Sequence, residues 1–263
     1  MTDWRRLDSE LDGWRDSGRR VTLWWRDDDA CRDSPALRRL FGVARGMDVP
    51  VALATIPAAL EASLVDAVRE SATATVVQHG YAHRNYAPPE ARNWELGAHR
   101  PVDSIIAELQ EGFGALERAF GTRFAAVLVP PWNRIDPEVI SRLPGARFHG
   151  LSTYGPRATA CPAPGVTQCN THVDLIAWRH ARAFVGAEAA IDLLVDHLNA
   201  RREGTADPSE PTGILTHHLD LSDAAWNFLT GLIARTREHG AVTWLDAGAA
   251  FGIADRVAVT SPI

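Results

Sequence analysis

Short apolar runs rich in β-branched and aromatic residues alternate with helix-like patterns along most of this chain, and that alternation limits the fold more than any other feature. Val21-Thr22-Leu23-Trp24-Trp25 reads as a strand running into charged residues. Ser34-Pro35 then offers an N-cap and a first-turn proline for a helix reaching toward Arg45. Residues 49–55 and 73–77 read as the next strands, with a helix over 58–69 between them. Ile106, Leu109, Phe113 and Leu116 mark a helix over 102–119, and residues 123–129 form another strand. A loop-rich middle holds a short strand at Phe148-His149-Gly150. Strands over 171–176, 213–216 and 242–244 then interleave with helices over 187–200 and 224–238. Two segments stand apart: the polar, proline-bearing stretch 80–101, too long for a simple connection and so expected to be functional, and the charged loop 201–212, expected to be disordered.

Strands separated by crossover helices run parallel, because each crossover returns the chain to the same end of the sheet. Seven or eight such units predict a single α/β domain over residues 1–263, closed or nearly closed into a barrel. An open doubly wound sheet is the alternative. In both, functional groups gather at the carboxyl ends of the strands.

Composition removes several chemistries. The 27 basic residues are all arginine. With no lysine there is no Walker-type phosphate loop, no Schiff-base or pyridoxal chemistry, and no carbamylated-lysine bimetal bridge. A net charge of −6 leaves no footprint for nucleic acid or an anionic membrane. No apolar run is long enough to span a bilayer, and residues 1–6 lack the apolar core of a secretory signal. Three cysteines, Cys31, Cys161 and Cys169, without C-x-x-C spacing fit a reducing compartment, with Cys31 read as a small packed residue. A cytoplasmic protein without membrane insertion is the expectation.

The unusual residues fall at predicted strand ends. The first strand runs into Arg26-Asp27-Asp28-Asp29, whose adjacent carboxylates call for a compensating cation or else form a solvated acidic loop. The third ends in His79-Gly80-Tyr81-Ala82-His83, two imidazoles four apart that can converge on one ion. It is not a zincin motif, since Gly80 stands where the catalytic Glu belongs. A later strand ends in His217-His218. One carboxylate and two imidazoles make a normal first shell for zinc or a similar divalent ion with one position left for water.

These motifs, in this order, resemble the polysaccharide deacetylase (NodB-homology) family, carbohydrate esterase family 4. Its Asp pair corresponds to two of Asp27, Asp28 and Asp29, with Asp28 and Asp29 favoured because Arg26 anchors an R-x-D-D pattern. Its H-x-x-x-H resembles His79 and His83, and its Pro-rich loop resembles Pro130-Pro131-Trp132-Asn133. Its Asp/Trp motif resembles Asp174 and Trp178, and its closing L-x-H resembles Leu215-Thr216-His217. The similarity runs over about residues 21–244. The usual Gly after the Asp pair is Ala30, and Leu128 stands where the family has an Arg before the Pro-rich loop. Arg26 and Arg134 are the candidates to supply that charge.

The resemblance implies a distorted (β/α)7-type barrel of mostly parallel strands. It implies one divalent ion, zinc first with cobalt, nickel or manganese as alternatives, held by Asp29, His79 and His83. It further implies Asp28 as general base, His217 (or His218) as general acid with Asp174 orienting it, and a backbone N–H after His83 at the oxyanion. Trp132, Asn133, Tyr81 and Trp178 are the expected substrate contacts, with Arg84 and Asn85 as further candidates. The expected partner is a small-molecule or oligosaccharide substrate, and the expected reaction is removal of an acetyl group from an N-acetylated sugar or polysaccharide precursor. A hydrolase of a non-sugar amide or ureide, or a silent carbohydrate-binding relative, are the alternatives. His99, His149, His172, His180, His197 and His239 read as structural or surface residues, with His149 and His172 the first to suspect otherwise.

Overall fold

A computed structural model of the chain describes residues 2–178 and 182–253. His180, read above as structural, lies outside them. The first element is helix α1 (Arg5–Asp16), not among the expected elements, although Leu7, Leu11 and Trp14 are spaced as one apolar stripe and are buried. The first alternating elements are β1 (Val21–Ala30), α2 (Pro35–Gly46), β2 (Val51–Thr55), α3 (Ala62–Glu70), β3 (Ala74–His79), α4 (Val102–Phe120), β4 (Phe124–Val129) and α5 (Pro137–Arg142). Five two-residue strands follow: β5 (Gly150–Leu151), β6 (Thr167–Gln168), β7 (Val173–Asp174), β8 (Ile176–Ala177) and β9 (Ala183–Phe184). The chain closes with α6 (Ala187–Glu203), β10 (Thr212–Thr216), α7 (Asp223–Glu238), β11 (Val242–Leu245) and α8 (Ala247–Phe251). As expected, the Ser34 hydroxyl caps α2, accepting from the Leu37 N–H at 3.0 Å.

Nine strands form one sheet in the order β6-β5-β4-β3-β2-β1-β10-β7, with β11 pairing along the first half of β1. Every pairing in it is parallel; β8 and β9 make a separate antiparallel hairpin. Seven strand spacings of about 4.8 Å would set β6 and β7 about 34 Å apart in a flat sheet. Yet only residues 169–172 join them, and five Cα steps reach at most about 18 Å. The sheet must curl until its edges approach, which decides for the distorted barrel over the open sheet.

Strand alternation sorts the core. Val21, Leu23, Trp25, Val51, Leu53 and Val76 face outward and pack with helix side chains such as Leu37, Leu40 and Leu64. Their neighbours Trp24, Ala52, Ala54, Val77, Ala125 and Val127 face inward, mostly small, and share a cluster with Ala247 and Phe251 of α8. Trp24 meets Phe251 edge to face at 5.5 Å, so α8 stoppers the barrel at the end away from the acidic residues. Each full burial of a Leu or Val in the outer layer contributes about 1.5–3 kcal/mol.

The structure also departs from expectation in β1 and in the loop 201–212. β1 does not stop at Trp25 but continues through the acidic triplet, because its buried charges have partners. The loop 201–212 is ordered rather than disordered: α6 extends to Glu203, and Glu210 is wholly buried, accepting from the N–H groups of Arg157 and Asn170. Among the described residues no helix is long and apolar enough to cross a membrane.

Candidate metal centre

Alternation along β1 points Arg26 and Asp28 into the barrel and Asp27 out of it. Asp27 is buried on the outer face, accepting from the Thr216 hydroxyl at 2.6 Å and pairing with His218 Nδ1 at 2.6 Å. Strict alternation would turn Asp29 outward as well. Instead its backbone takes the left-handed region (φ 72°) where the β1–β2 register shifts, so Asp28 and Asp29 line the same cavity. The bulge thus places Asp28 and Asp29, and not Asp27, on the cavity.

His79, the last residue of β3, points inward, and its Nδ1 lies 3.0 Å from the Val129 carbonyl. A carbonyl only accepts, so Nδ1 carries the proton and Nε2 presents a lone pair. Gly80 (φ 52°) and His83 (φ 52°) bend the chain back. Nε2 of His79 and of His83 then lie 3.2 and 3.3 Å from the same Oδ1 of Asp29. That oxygen is buried, yet it is aligned for a hydrogen bond with neither ring. A carboxylate oxygen orphaned between two imidazole nitrogens, with one tautomer set from behind, fits a divalent ion.

The turn carrying His83 rests on Glu95, a residue that no motif or spacing marks out. Its buried carboxylate accepts from the N–H groups of Tyr81 (3.2 Å), Ala82 (2.8 Å) and Arg84 (3.4 Å), and it fills the space a side chain at Gly80 would need. The Arg84 N–H, the first of the loop in which an oxyanion donor is expected, is directed at Glu95.

Asp28 is held by Arg26, which is wholly buried: Nη2 donates to Oδ2 at 3.0 Å and Nε lies 2.9 Å from Oδ1. The same guanidinium donates to Asn133 Oδ1 at 2.7 Å and to the Ser152 hydroxyl at 2.7 Å. Arg26 thus supplies the charge expected before the Pro-rich loop. Leu128 faces the other way, into the cluster packed under α4, while Arg134 donates to the Asn93 carbonyl. Trp132 and Asn133 are both left-handed (φ 55° and 56°), uncommon for any side chain and strained for tryptophan. The turn sets the Trp132 ring 4.5 Å from that of His83.

His217 Nε2 lies 4.0 Å from Asp28 Oδ2. Asp174 does not bond to His217 as expected: its oxygens accept from the Ile176 N–H and from Trp178 Nε1, and Trp178 packs edge-on to His217 at 4.6 Å. Asp174 therefore reaches His217 through Trp178 and through space; burial raises its pKa and His217 opposes that rise. Trp132, Asn133 and Trp178 line a cavity of about 720 Å³ with Asp28, Asp29, His79, His83 and His217. Tyr81 is not among its lining residues and its hydroxyl donates to Glu111, while Asn85 accepts from the N–H groups of Ala87 and Trp94. Arg84 lies over the Tyr86 ring.

A second buried group, His172, His197 and Glu210, has donors close enough for an ion. Its chemistry is wrong. His172 Nδ1 accepts from the Gly213 N–H at 3.0 Å, so its proton sits on Nε2, and the His172 and His197 rings stack at 3.4 Å instead of converging. His149 and His99 are exposed, and His239 is half-buried beside Asp12.

No protein-family model matches the sequence, and no curated protein matches it. Solved structures do match. A Mycobacterium smegmatis protein described as a polysaccharide deacetylase superposes with a TM-score of 0.61 at 16% identity, over 86% of this chain and 79% of that one. A family 4 acetyl xylan esterase from Clostridium thermocellum, solved in complex with a cobalt ion, gives 0.54 at 12% identity over 88% and 91%. A CE4 family pseudoenzyme from Bacillus anthracis gives 0.56 at 13% identity over 89% and 66%. The chain has the fold of the carbohydrate esterase family 4 polysaccharide deacetylases, as the sequence motifs led one to expect.

Proposed function

We propose that this chain is a metal-dependent hydrolase that removes an acetyl-type acyl group from the nitrogen of an N-acylated sugar. The observation that carries the reading is the single Asp29 oxygen faced by the Nε2 atoms of His79 and His83, beside an Arg26-held Asp28. Asp29, His79 and His83 would hold the ion. A divalent ion at such ligands supplies Lewis acidity, polarising an acyl carbonyl and lowering the pKa of water.

The chain's own groups supply the rest. Asp28, not one of the three ligands, takes the proton of the attacking water, and Arg26 fixes the direction of its carboxylate. His217, whose Nε2 lies 4.0 Å from Asp28, donates a proton to the departing nitrogen. Trp178, anchored by Asp174, limits the tilt of the His217 ring, and Trp132 does the same for His83. Asn133, tied to Arg26, orients the substrate at the cavity wall. The complete set of ligands, base and acid favours an active enzyme over a silent relative. Purified protein loaded with zinc or cobalt should release acetate from N-acetylglucosamine or its oligomers. Stoichiometric metal with no release from any N-acyl substrate would defeat the proposal.

A further inference from the structure

We propose that the substrate carries an apolar substituent next to the scissile amide, several carbons long, so that a bare N-acetylated sugar is a poor fit. The inference rests on the hydrolase reading above and narrows its substrate class. Four large hydrophobic side chains stand out as exposed among the described residues: Tyr154 (43%), Trp178 (43%), Leu193 (37%) and Leu219 (55%). Three of them line the cavity that holds Asp29, His79 and His83, and Leu219 lies two residues past His217. Behind them the buried Ile176 and half-buried Val185 line the same cavity. Exposed apolar side chains gathered at one place mark a binding surface, whereas scattered ones mean nothing.

The polar groups on this side are engaged within the protein. Both Asp174 oxygens accept, from the Ile176 N–H and from Trp178 Nε1. The Tyr154 hydroxyl donates to the His172 carbonyl at 3.0 Å, and Arg182, whose guanidinium lies over the Trp178 ring, pairs with Asp220 at 3.0 Å. A ring of sugar hydroxyls seated there would give up water for aliphatic carbon, which is unfavourable for every hydroxyl left without a partner. An alkyl or aryl group there would instead be buried favourably, and the cavity of about 720 Å³ leaves ample room beyond an acetyl group. Aromatic faces alone would suit a sugar; the aliphatic Ile176, Val185 and Leu193 do not.

The bonds are those of the proposed reaction: the acyl C–N bond breaks, water gives its oxygen to the acyl carbon, and its protons go to the amine and the acid. The apolar group can be the acyl chain or a substituent on the amine side. Metal-loaded protein is therefore assayed with N-acetylglucosamine and its trimer, with N-hexanoylglucosamine, and with octyl N-acetyl-β-glucosaminide. Burial is worth roughly fourfold per methylene, so at least a tenfold higher kcat/KM is expected for one of the last two, and which one identifies the side. Equal rates, or preference for the trimer, overturn the proposal. Leu193→Asn should cut the preference several-fold, and an unchanged ratio also counts against it. If no amide is cleaved, the hydrolase reading fails separately. Calorimetric titration of the same four compounds then decides: a tenfold affinity gain with the apolar group upholds the pocket, and a flat series rejects it.

Discussion

Arg26 and Asp28 sit two positions apart on one strand and form a buried ion pair, with Nη2 donating to Oδ2 at 3.0 Å. The pleat puts residues i and i+2 on one face, so the pair is built by β1 itself. Removing one partner of a buried pair strands the other charge. Arg26→Met should therefore lower unfolding stability by about 3–5 kcal/mol and turnover by about a hundredfold. Arg26→Lys keeps the charge without the fork that reaches Asp28, Asn133 and Ser152 together, and it should not recover turnover. Urea unfolding with initial rates measures both; full turnover in the Lys variant would rule out a positioning role.

The bulge at Asp29 divides labour between neighbouring carboxylates. Asp28→Asn should keep a stoichiometric ion and lose turnover by about 10²–10⁴-fold. Asp29→Asn and His79→Ala should lose the ion itself. Metal content after gel filtration, read by atomic absorption, separates the two classes, and an ion-free Asp28→Asn protein would mean the roles are exchanged.

Glu95 touches neither cavity nor ion in this scheme, yet it holds the turn on which His83 rides. Glu95→Gln leaves one oxygen acceptor for several N–H groups. Metal affinity should fall about 10–100-fold, with turnover largely restored at saturating metal. Unaltered metal affinity would make Glu95 only a structural plug.

Two buried histidines set opposite pH limits on stability. Burial disfavours the charged form of His218, but Asp27 outweighs it and holds the pKa above its usual value. The folded protein then binds this proton more tightly than the unfolded chain. The contribution is complete below about pH 6.5 and is lost as pH rises through the folded-state pKa. His197 is pushed down to about 2, first by burial and then by His172, so it folds neutral. Below about pH 6.5 the unfolded chain takes up a proton that the folded one refuses, and stability falls. Tm should peak near neutrality, and His218→Gln should flatten the alkaline side. An alkaline slope equal to that of the parent protein would show that the Asp27–His218 pair is not its source.

Much of the frame was legible in the residues. β2, β3, β4, β10 and their helices lie within a few residues of the ranges that periodicity and caps indicated, because each is a local pattern satisfied by one face of one element. The two-residue strands β5 to β9 were not separable, since so short a run carries no period. Arg201 to Thr212 looked disordered because composition cannot reveal that Glu210 finds two backbone N–H groups far along the chain.

For the site, the sequence alone supplied the residue types and their place at strand ends: carboxylates after one strand, paired imidazoles after another, a third imidazole after a later one. Tertiary structure decided what each side chain faces. Asp29 joins His79 and His83 only because its backbone turns left-handed, Asp27 leaves for His218, Tyr81 turns to Glu111, and Glu95 returns from a polar loop to brace the metal turn. Side-chain direction at a bulge or a left-handed turn is set by long-range contacts that offset local strain, and no local pattern encodes those.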